Sequence, residues 1–163
     1  MLDRNTSIHT LDLVCTRIGK VGLKAIVDVL IETNRTVKRV YLGGNDLDPD
    51  DAYLIADLLR SNSSIEALLL NVNHLGDRGI ELLAEGLSKN NTLTELGLAS
   101  NGITDRGCEI LISALQNMPS LIRLDLGYSP STRVLGARPN SITDRGIIVE
   151  VHGGSKNRKN LIG

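Results

Sequence analysis

The 163-residue sequence contains no Phe, no Trp and only three Tyr. A rounded globular core of this size normally draws much of its buried area from aromatic side chains. The apolar residues here are almost all Leu, Ile, Val and Ala, so a core of that kind is not expected. Aliphatic side chains of similar size suit thin, regular layers instead. The length favours one domain, over residues 1–163.

Cysteines, long apolar runs and excess charge are also scarce. Cys15 and Cys108 lack metal-ligand spacing, which predicts reduced thiols and no metal site. No apolar run approaches the length of a membrane span, and the first residues lack a signal-peptide pattern. We therefore expect a cytoplasmic protein that does not bind membranes. A formal net charge of −1 also argues against nucleic-acid binding, which needs concentrated positive charge.

The sequence instead contains a repeat of 28 residues. Three successive units read VKRVYLGGNDLDPDDAYLIADLLRSNSS (37–64), IEALLLNVNHLGDRGIELLAEGLSKNNT (65–92) and LTELGLASNGITDRGCEILISALQNMPS (93–120). Each unit opens with apolar residues at alternate positions, which predicts a short strand. An asparagine follows each strand: Asn45, Asn73 and Asn101. We expect these side chains to satisfy backbone groups at the turn and to bridge neighbouring repeats.

Each unit continues into a predicted helix. The N-cap candidates are Asp48, Gly76, Thr104 and Thr143. The phrase Asp-Arg-Gly then places a carboxylate in the first turn, where the helix dipole favours negative charge. Its glycines are expected to let neighbouring helices approach closely: Gly79, Gly107 and Gly146. Its arginines are interpreted as solvent-exposed side chains along one edge of the solenoid: Arg78, Arg106 and Arg145.

Three asparagines mark the predicted helix ends: Asn34, Asn62 and Asn90. Asparagine tolerates the left-handed conformation in which many helices end, so that conformation is predicted here. The same asparagines begin N-x-S/T sequons. Because they recur with the repeat, we interpret them as cap residues rather than as glycosylation sites.

The pattern LxxLxLxxNxIxxxG at this period resembles the leucine-rich repeats of the ribonuclease-inhibitor type, which also form the sensor regions of NOD-like receptors. The resemblance covers about residues 8–146. It implies an α/β leucine-rich repeat solenoid, or horseshoe, with a parallel β-sheet on the concave face and helices on the convex face. About five repeats are expected: 8–36, 37–64, 65–92, 93–120 and 121–160.

The two ends depart from the pattern. Thr16 stands where the first unit should have asparagine, and Leu161 is the only residue that could open a sixth strand. Solenoids need polar caps at both ends, and none is evident in the sequence. Two interpretations stay open: the chain is the sensor fragment of a larger protein, or it self-associates through its uncapped ends.

The 28-residue spacing of the repeats is interrupted once, after Leu126. The cap asparagine expected three residues later arrives only at Asn140, so eleven residues are inserted within 127–139. The prolines and glycines of this segment predict an irregular loop at one rim of the sheet. Such an insertion is either a binding loop or a tolerated excursion of the chain, and both interpretations stay open.

No catalytic motif or cofactor-binding loop stands out, so we predict no catalytic residue, no cofactor and a non-enzymatic scaffold for protein–protein interaction. The predicted partner-binding residues lie on exposed strand positions and in the inserted segment: Arg39, Tyr41, Leu69, Asn71, Glu95, Arg123, Asp125, Tyr128, Arg133 and Arg138. Tyr41 is expected beside Leu69, and Glu95 beside Arg123. The chain is also similar to the Ran GTPase-activating proteins, which implies regulation of a small GTPase as the alternative.

Overall fold

The computed structural model describes residues 2–116 and 118–147. The strands are β1 (Thr10–Asp12), β2 (Arg39–Tyr41), β3 (Ala67–Leu69), β4 (Glu95–Gly97) and β5 (Arg123–Asp125). The helices are α1 (Gly19–Glu32), α2 (Ala52–Ser61), α3 (Gly76–Lys89), α4 (Asp105–Leu115) and α5 (Asp144–Ile147). Two 3₁₀ turns span Leu2–Arg4 and Pro130–Thr132. The strand predicted at Leu161 lies outside the described residues.

The strands form one parallel sheet in the order of the sequence, β1 to β5. A helix follows each strand, so the described part of the chain is a solenoid with the sheet on its concave face and the helices on its convex face. The register places Tyr41 opposite Leu69 and Glu95 opposite Arg123, which confirms both predicted neighbours. The predicted fold class is also confirmed.

The core is a thin aliphatic layer between the sheet and the helices. The largest fully buried side chains are all Leu or Ile: Leu23, Leu30, Leu42, Leu47, Ile55, Leu58, Leu68, Leu70, Leu75, Ile80, Leu83 and Leu87. Side chains of nearly equal volume repeat at equal intervals, so each layer stacks on the last with the same spacing. The core therefore does not need the aromatic side chains that the sequence lacks.

Asparagines at the strand ends form a ladder that joins successive repeats. The Oδ1 atom of Asn73 accepts hydrogen bonds from the backbone N–H groups of Asn45 and Leu47, at 3.0 and 3.1 Å. Its Nδ2 group donates to the carbonyls of Leu42 and Leu70, at 3.1 and 2.8 Å. One buried side chain thus satisfies four backbone groups on two repeats. The predicted bridging role is confirmed.

Asparagines at the helix ends form a second ladder. The Oδ1 atom of Asn62 accepts from the backbone N–H groups of Ser64 and Ile65, and its Nδ2 group donates to the Leu30 carbonyl of the preceding repeat at 2.7 Å. Asn5, Asn34 and Asn90 make the same pair of Oδ1 contacts two and three residues onward. The predicted cap chemistry is therefore present.

The predicted left-handed conformation at these helix ends is wrong. Asn62 and Asn90 are extended, with φ of −96° and −90°. Because Oδ1 accepts two N–H groups of the next residues, the side chain itself turns the chain, and an extended backbone is sufficient. Left-handed residues lie instead at the ends of the strands, and four of them come just before Thr16 or a strand-end asparagine: Cys15, Gly44, Val72 and Ser100, with φ from 54° to 65°.

The second ladder stops at Met118, which occupies the asparagine position of the last repeat. A thioether cannot replace the amide, and among the described residues the Leu121 N–H reaches only the Met118 carbonyl, at 3.4 Å. The Ser120 hydroxyl is buried without a hydrogen-bond partner among the described residues. In the other repeats the corresponding hydroxyl, for example that of Ser64, lies 3.1 Å from the ladder Oδ1.

The helix starts only partly match the predicted N-caps. Thr104 is the N-cap of α4, as predicted, whereas Asp51 rather than Asp48 is the N-cap of α2. The Asp48 carboxylate accepts from the backbone N–H groups of Asp50 and Asp51, so it closes a turn that precedes the helix. Gly76 is the first residue of α3 and not its cap.

The Asp-Arg-Gly phrase couples each helix start to the next repeat. The Asp77 carboxylate accepts from the backbone N–H and the hydroxyl of Thr104, at 2.8 and 2.6 Å. A side chain on Gly107 would collide with this carboxylate, which explains the glycine and confirms its predicted role in close approach. Asp105 and Thr143 make the same contact one repeat later. The hydrogen bonds from the Thr143 side chain and backbone lower the pKa of Asp105.

Residues 2–8 cover the N-terminal side of the first repeat. Leu2 packs against the core, and the Asn34 side chain donates to the carbonyls of Leu2 and Asn5 at 2.9 and 3.1 Å. The Thr36 hydroxyl donates to the same Asn5 carbonyl. This short polar segment covers the end at which no cap was evident in the sequence.

Candidate interaction surface

The strands present a strip of apolar side chains on the concave face. Tyr41 and Leu69 lie side by side on β2 and β3, each partly exposed. Val14, just after β1, is 49% exposed. Gly97 gives Leu69 room on the other side, because a Cβ there would stand 2.9 Å from the Leu69 Cδ2 atom. We call Val14, Tyr41 and Leu69 the concave strip.

Charged side chains lie on the same face of the sheet. Glu95 and Arg123 form an exposed ion pair with 3.4 Å between Oε1 and Nη1. Arg39 donates from Nε to the Thr10 hydroxyl at 3.1 Å, and its side chain stays exposed. Asp125 accepts from the Gly127 N–H at 2.9 Å. The predicted concave residues therefore share one face, with cations and carboxylates around the apolar strip.

Asn71 has a structural role, a hydrogen bond to the next repeat, that was not predicted from the sequence. Its Oδ1 atom accepts from the Ala99 N–H of the next repeat at 2.9 Å. A Cβ at Gly97 would lie 2.7 Å from this oxygen, so the amide lies over the glycine. The side chain is partly exposed beside Leu69, but its acceptor oxygen is already engaged with the backbone.

The inserted segment, residues 127–139, is folded against one rim of the sheet; we call it the rim loop. The Ser100 hydroxyl lies 2.6 Å from the Thr132 hydroxyl and accepts from the Ser129 N–H at 2.9 Å. The Gly102 N–H donates to the Arg138 carbonyl at 2.9 Å. Asn140 then takes the next place in the strand-end ladder, where it accepts from the N–H groups of Asn101 and Ile103.

The rim loop also reaches back across the sheet. A Cβ on Gly44 would lie 2.9 Å from the Leu135 Cδ1 atom and 2.7 Å from the Cys15 Sγ atom, so these side chains flank the glycine. Gly44 follows β2, three strands from β5, and the loop therefore crosses roughly 14 Å of rim at the usual strand spacing. The sequence predicted the position of this loop but not its path.

The rim loop carries the three remaining predicted binding residues. Tyr128 is 57% exposed, and Arg133 and Arg138 are exposed. Val134, which the sequence analysis did not select, is 87% exposed. The sequence did not distinguish it from its neighbour Leu135, which packs beside Gly44.

Other candidate chemistry is absent or accounted for in residues 2–116 and 118–147. No group of His, Cys, Asp and Glu within them would hold a metal ion, and none of their helices is both long and apolar enough to cross a membrane. Arg78 and Arg106 each pair with a carboxylate of the preceding repeat, Asp50 and Glu81. Burial raises the pKa of the Cys108 thiol, which keeps it protonated and unreactive.

Comparison with known proteins agrees with this geometry. The family profile described as "Leucine Rich repeat" matches residues 4–27, 33–56 and 89–111. The chain therefore contains leucine-rich repeats and has the leucine-rich repeat fold. No curated protein sequence matches it.

Two solved structures show the same leucine-rich repeat fold. One, "Leiomodin-1 Actin-Binding Site 2 (ABS2)", has a TM-score of 0.65 and 24% sequence identity, and the match covers 81% of this chain and 78% of that chain. The other is the tropomodulin C-terminal domain of Caenorhabditis elegans, with a TM-score of 0.69, 12% identity and coverage of 82% and 83%. At these identities the likeness concerns the fold.

Proposed function

We propose that this leucine-rich repeat protein is a non-enzymatic scaffold that binds another protein through its concave face. The observation that carries the proposal is the pair Tyr41 and Leu69, adjacent apolar side chains that are partly exposed on neighbouring strands. Aromatic and large apolar side chains on a soluble surface are the usual anchors of protein interfaces. The Glu95–Arg123 pair and Arg39 supply charged groups around them.

The backbone under this strip is already ordered. Asn45 and Asn73 fix the ends of the strands that carry Tyr41 and Leu69. Binding to such a surface needs little ordering of the protein, so a modest apolar contact can still give useful affinity. This pre-organisation supports a recognition role for the concave face.

Actin is the first partner to test, because the leiomodin-1 structure with the same fold is named as an actin-binding site. The measurement is fluorescence anisotropy of labelled monomeric actin titrated with the protein. The double variant Tyr41→Ala/Leu69→Ala should weaken binding at least about tenfold, since buried anchors typically contribute more than about 1 kcal/mol each. Tyr53→Ala is the matched control, because Tyr53 is exposed on α2, away from the concave face.

The variants separate the possible outcomes. Equal loss in the double variant and in Tyr53→Ala would contradict the concave site. Binding that survives Tyr41→Ala/Leu69→Ala would also contradict it, provided that circular dichroism shows the variant folded. If wild type does not bind actin, the same variants apply to any other protein ligand that is found.

Regulation of a small GTPase stays a prediction, and no contact among the described residues favours it. A single-turnover GTP hydrolysis assay with candidate GTPases tests it directly. The larger-sensor interpretation and self-association through the ends also stay predictions.

A further inference from the structure

The rim loop is a second, separate surface on the same molecule. Its inner side is fixed, because the buried Thr132 hydroxyl contacts Ser100, and Leu135 lies beside Gly44. Backbone hydrogen bonds within the loop, from Leu135 to Ser131 and from Ala137 to Thr132, are both 3.0 Å long. The backbone of the loop is therefore held in one defined arrangement.

The exposed residues of the loop combine apolar groups with cations that have no ion-pair partner among the described residues. Tyr128 and Val134 are more than half exposed and only six positions apart in the sequence. Arg133 and Arg138 form no ion pair with any carboxylate in residues 2–116 and 118–147, and the stretch from 126 to 143 contains no Asp or Glu. By contrast, Arg60, Arg78 and Arg106 on the helical side each contact an acidic residue.

We propose that the exposed residues of the rim loop bind an acidic segment of a partner protein, with apolar side chains of that segment against Tyr128 and Val134. The charge argument is complementarity: two exposed cations without an ion-pair partner among the described residues, in a stretch without carboxylates, favour a ligand that supplies carboxylates. The inference extends the proposed scaffold function to a surface outside the concave strip.

A protein segment fits this surface better than a nucleic acid does. Phosphate backbones are bound by many cations, and the chain as a whole has a net charge of −1. Two exposed arginines five positions apart, in a loop that also exposes a tyrosine and a valine, match a short peptide that mixes carboxylates with apolar residues.

The test uses a phage-displayed library of random 12-residue peptides, selected on the full chain. Enriched peptides should be acidic and carry large apolar residues. An enriched peptide, labelled with fluorescein, should bind Arg133→Glu/Arg138→Glu about tenfold or more weakly than wild type, because attraction becomes repulsion at two positions. Its affinity should also fall as salt rises from about 50 to about 500 mM, since exposed charges are screened.

Two control variants localise the effect. Lys20→Glu/Lys89→Glu makes the same change in net charge on the helical side and should leave peptide binding unchanged. Tyr41→Ala/Leu69→Ala removes two of the three side chains of the concave strip and should also leave peptide binding unchanged. Far-UV circular dichroism and thermal melts confirm folding of each variant, and the altered arginines are exposed.

Several results would overturn the inference. Peptide binding lost in Tyr41→Ala/Leu69→Ala but kept in Arg133→Glu/Arg138→Glu would leave the scaffold function intact and reject the rim-loop site. Selection of neutral or basic peptides, or of none, would reject the acidic partner. Tighter binding of a single-stranded RNA 12-mer than of the enriched peptide would reject a protein segment as the ligand.

Discussion

At the strand ends the asparagine ladder continues through Asn140 although the rim loop precedes it, whereas at the helix ends the second ladder stops at Met118. The first ladder needs only that an amide reaches the right point in space, so an insertion that returns the chain to that point is tolerated. The second ladder loses its chemistry when the amide is replaced. An insertion is therefore compatible with the ladder when an amide returns to the same place, whereas Met118 offers no amide at its position.

The largest effect is expected from Asn73→Ala. The fully buried side chain satisfies two N–H and two C=O groups, and its loss leaves them unpaired in the core. We expect the free energy of unfolding to fall by about 4 kcal/mol. Urea unfolding followed by far-UV circular dichroism measures it. Asn91→Ala, at an exposed position, is the control; a loss below about 1 kcal/mol for Asn73→Ala would show that the ladder matters little.

Asn140→Ala tests whether the ladder truly continues beyond the rim loop. Asn140 makes the same four contacts as Asn73, to Asn101, Ile103, Leu98 and Leu126, but it is only partly buried. Water can therefore replace part of its hydrogen bonding, and we expect a smaller loss, of about 2 kcal/mol. The same urea titration applies. An unchanged unfolding midpoint would mean that the insertion has ended the ladder.

A pair of serine variants sharpens the contrast at the helix ends. Ser64→Ala removes a hydroxyl that lies 3.1 Å from Asn62 Oδ1 and 3.3 Å from the Val37 carbonyl, and should cost about 1 kcal/mol. Ser120→Ala removes a buried hydroxyl without a partner among the described residues, so it should be neutral or stabilising. Thermal melts of both variants compare them. Equal destabilisation would contradict the broken ladder.

The smallest effect concerns the coupling between helix starts. Thr143 lowers the pKa of Asp105, so the stabilisation is present above the unfolded-state pKa and is lost as pH falls through the folded-state pKa. Asp105→Asn should therefore be less stable than wild type at about pH 7, and the gap should narrow towards about pH 3. Unfolding titrations at both pH values measure it. Asp144→Asn, in the first turn of α5, is the control, and a gap that widens in acid would contradict the assignment.

Much of the fold was predictable because the repeat places each residue type at a fixed interval. The alternating leucines predicted the strands, and the strand-end asparagines predicted the first ladder. The register followed from the equal spacing, which is why Tyr41 lies beside Leu69 as expected. The helix-end conformation was not predictable from a preference for left-handed asparagine, because two side-chain hydrogen bonds at Asn62 favour the extended form.

The candidate surfaces also combine features that the sequence predicted with features that it did not. Alternation along a strand identifies the side chains that leave the core, so the concave residues could be selected from the sequence. The engagement of Asn71 with Ala99 and the packing of Leu135 beside Gly44 depend on neighbours 28 or more residues away. No local pattern encodes such contacts. Whether any of these residues binds a partner stays a prediction.

The sequence by itself determined the repeat, the aliphatic core and the asparagine ladder at the strand ends, because each depends on periodic residue types within one unit. Only the tertiary structure decided where the rim loop lies, since its path is set by contacts with Ser100, Gly102 and Gly44 on other repeats. It also decided which charges remain unpaired. An ion pair needs two side chains to meet in space, and the arginines of the rim loop meet no carboxylate among the described residues.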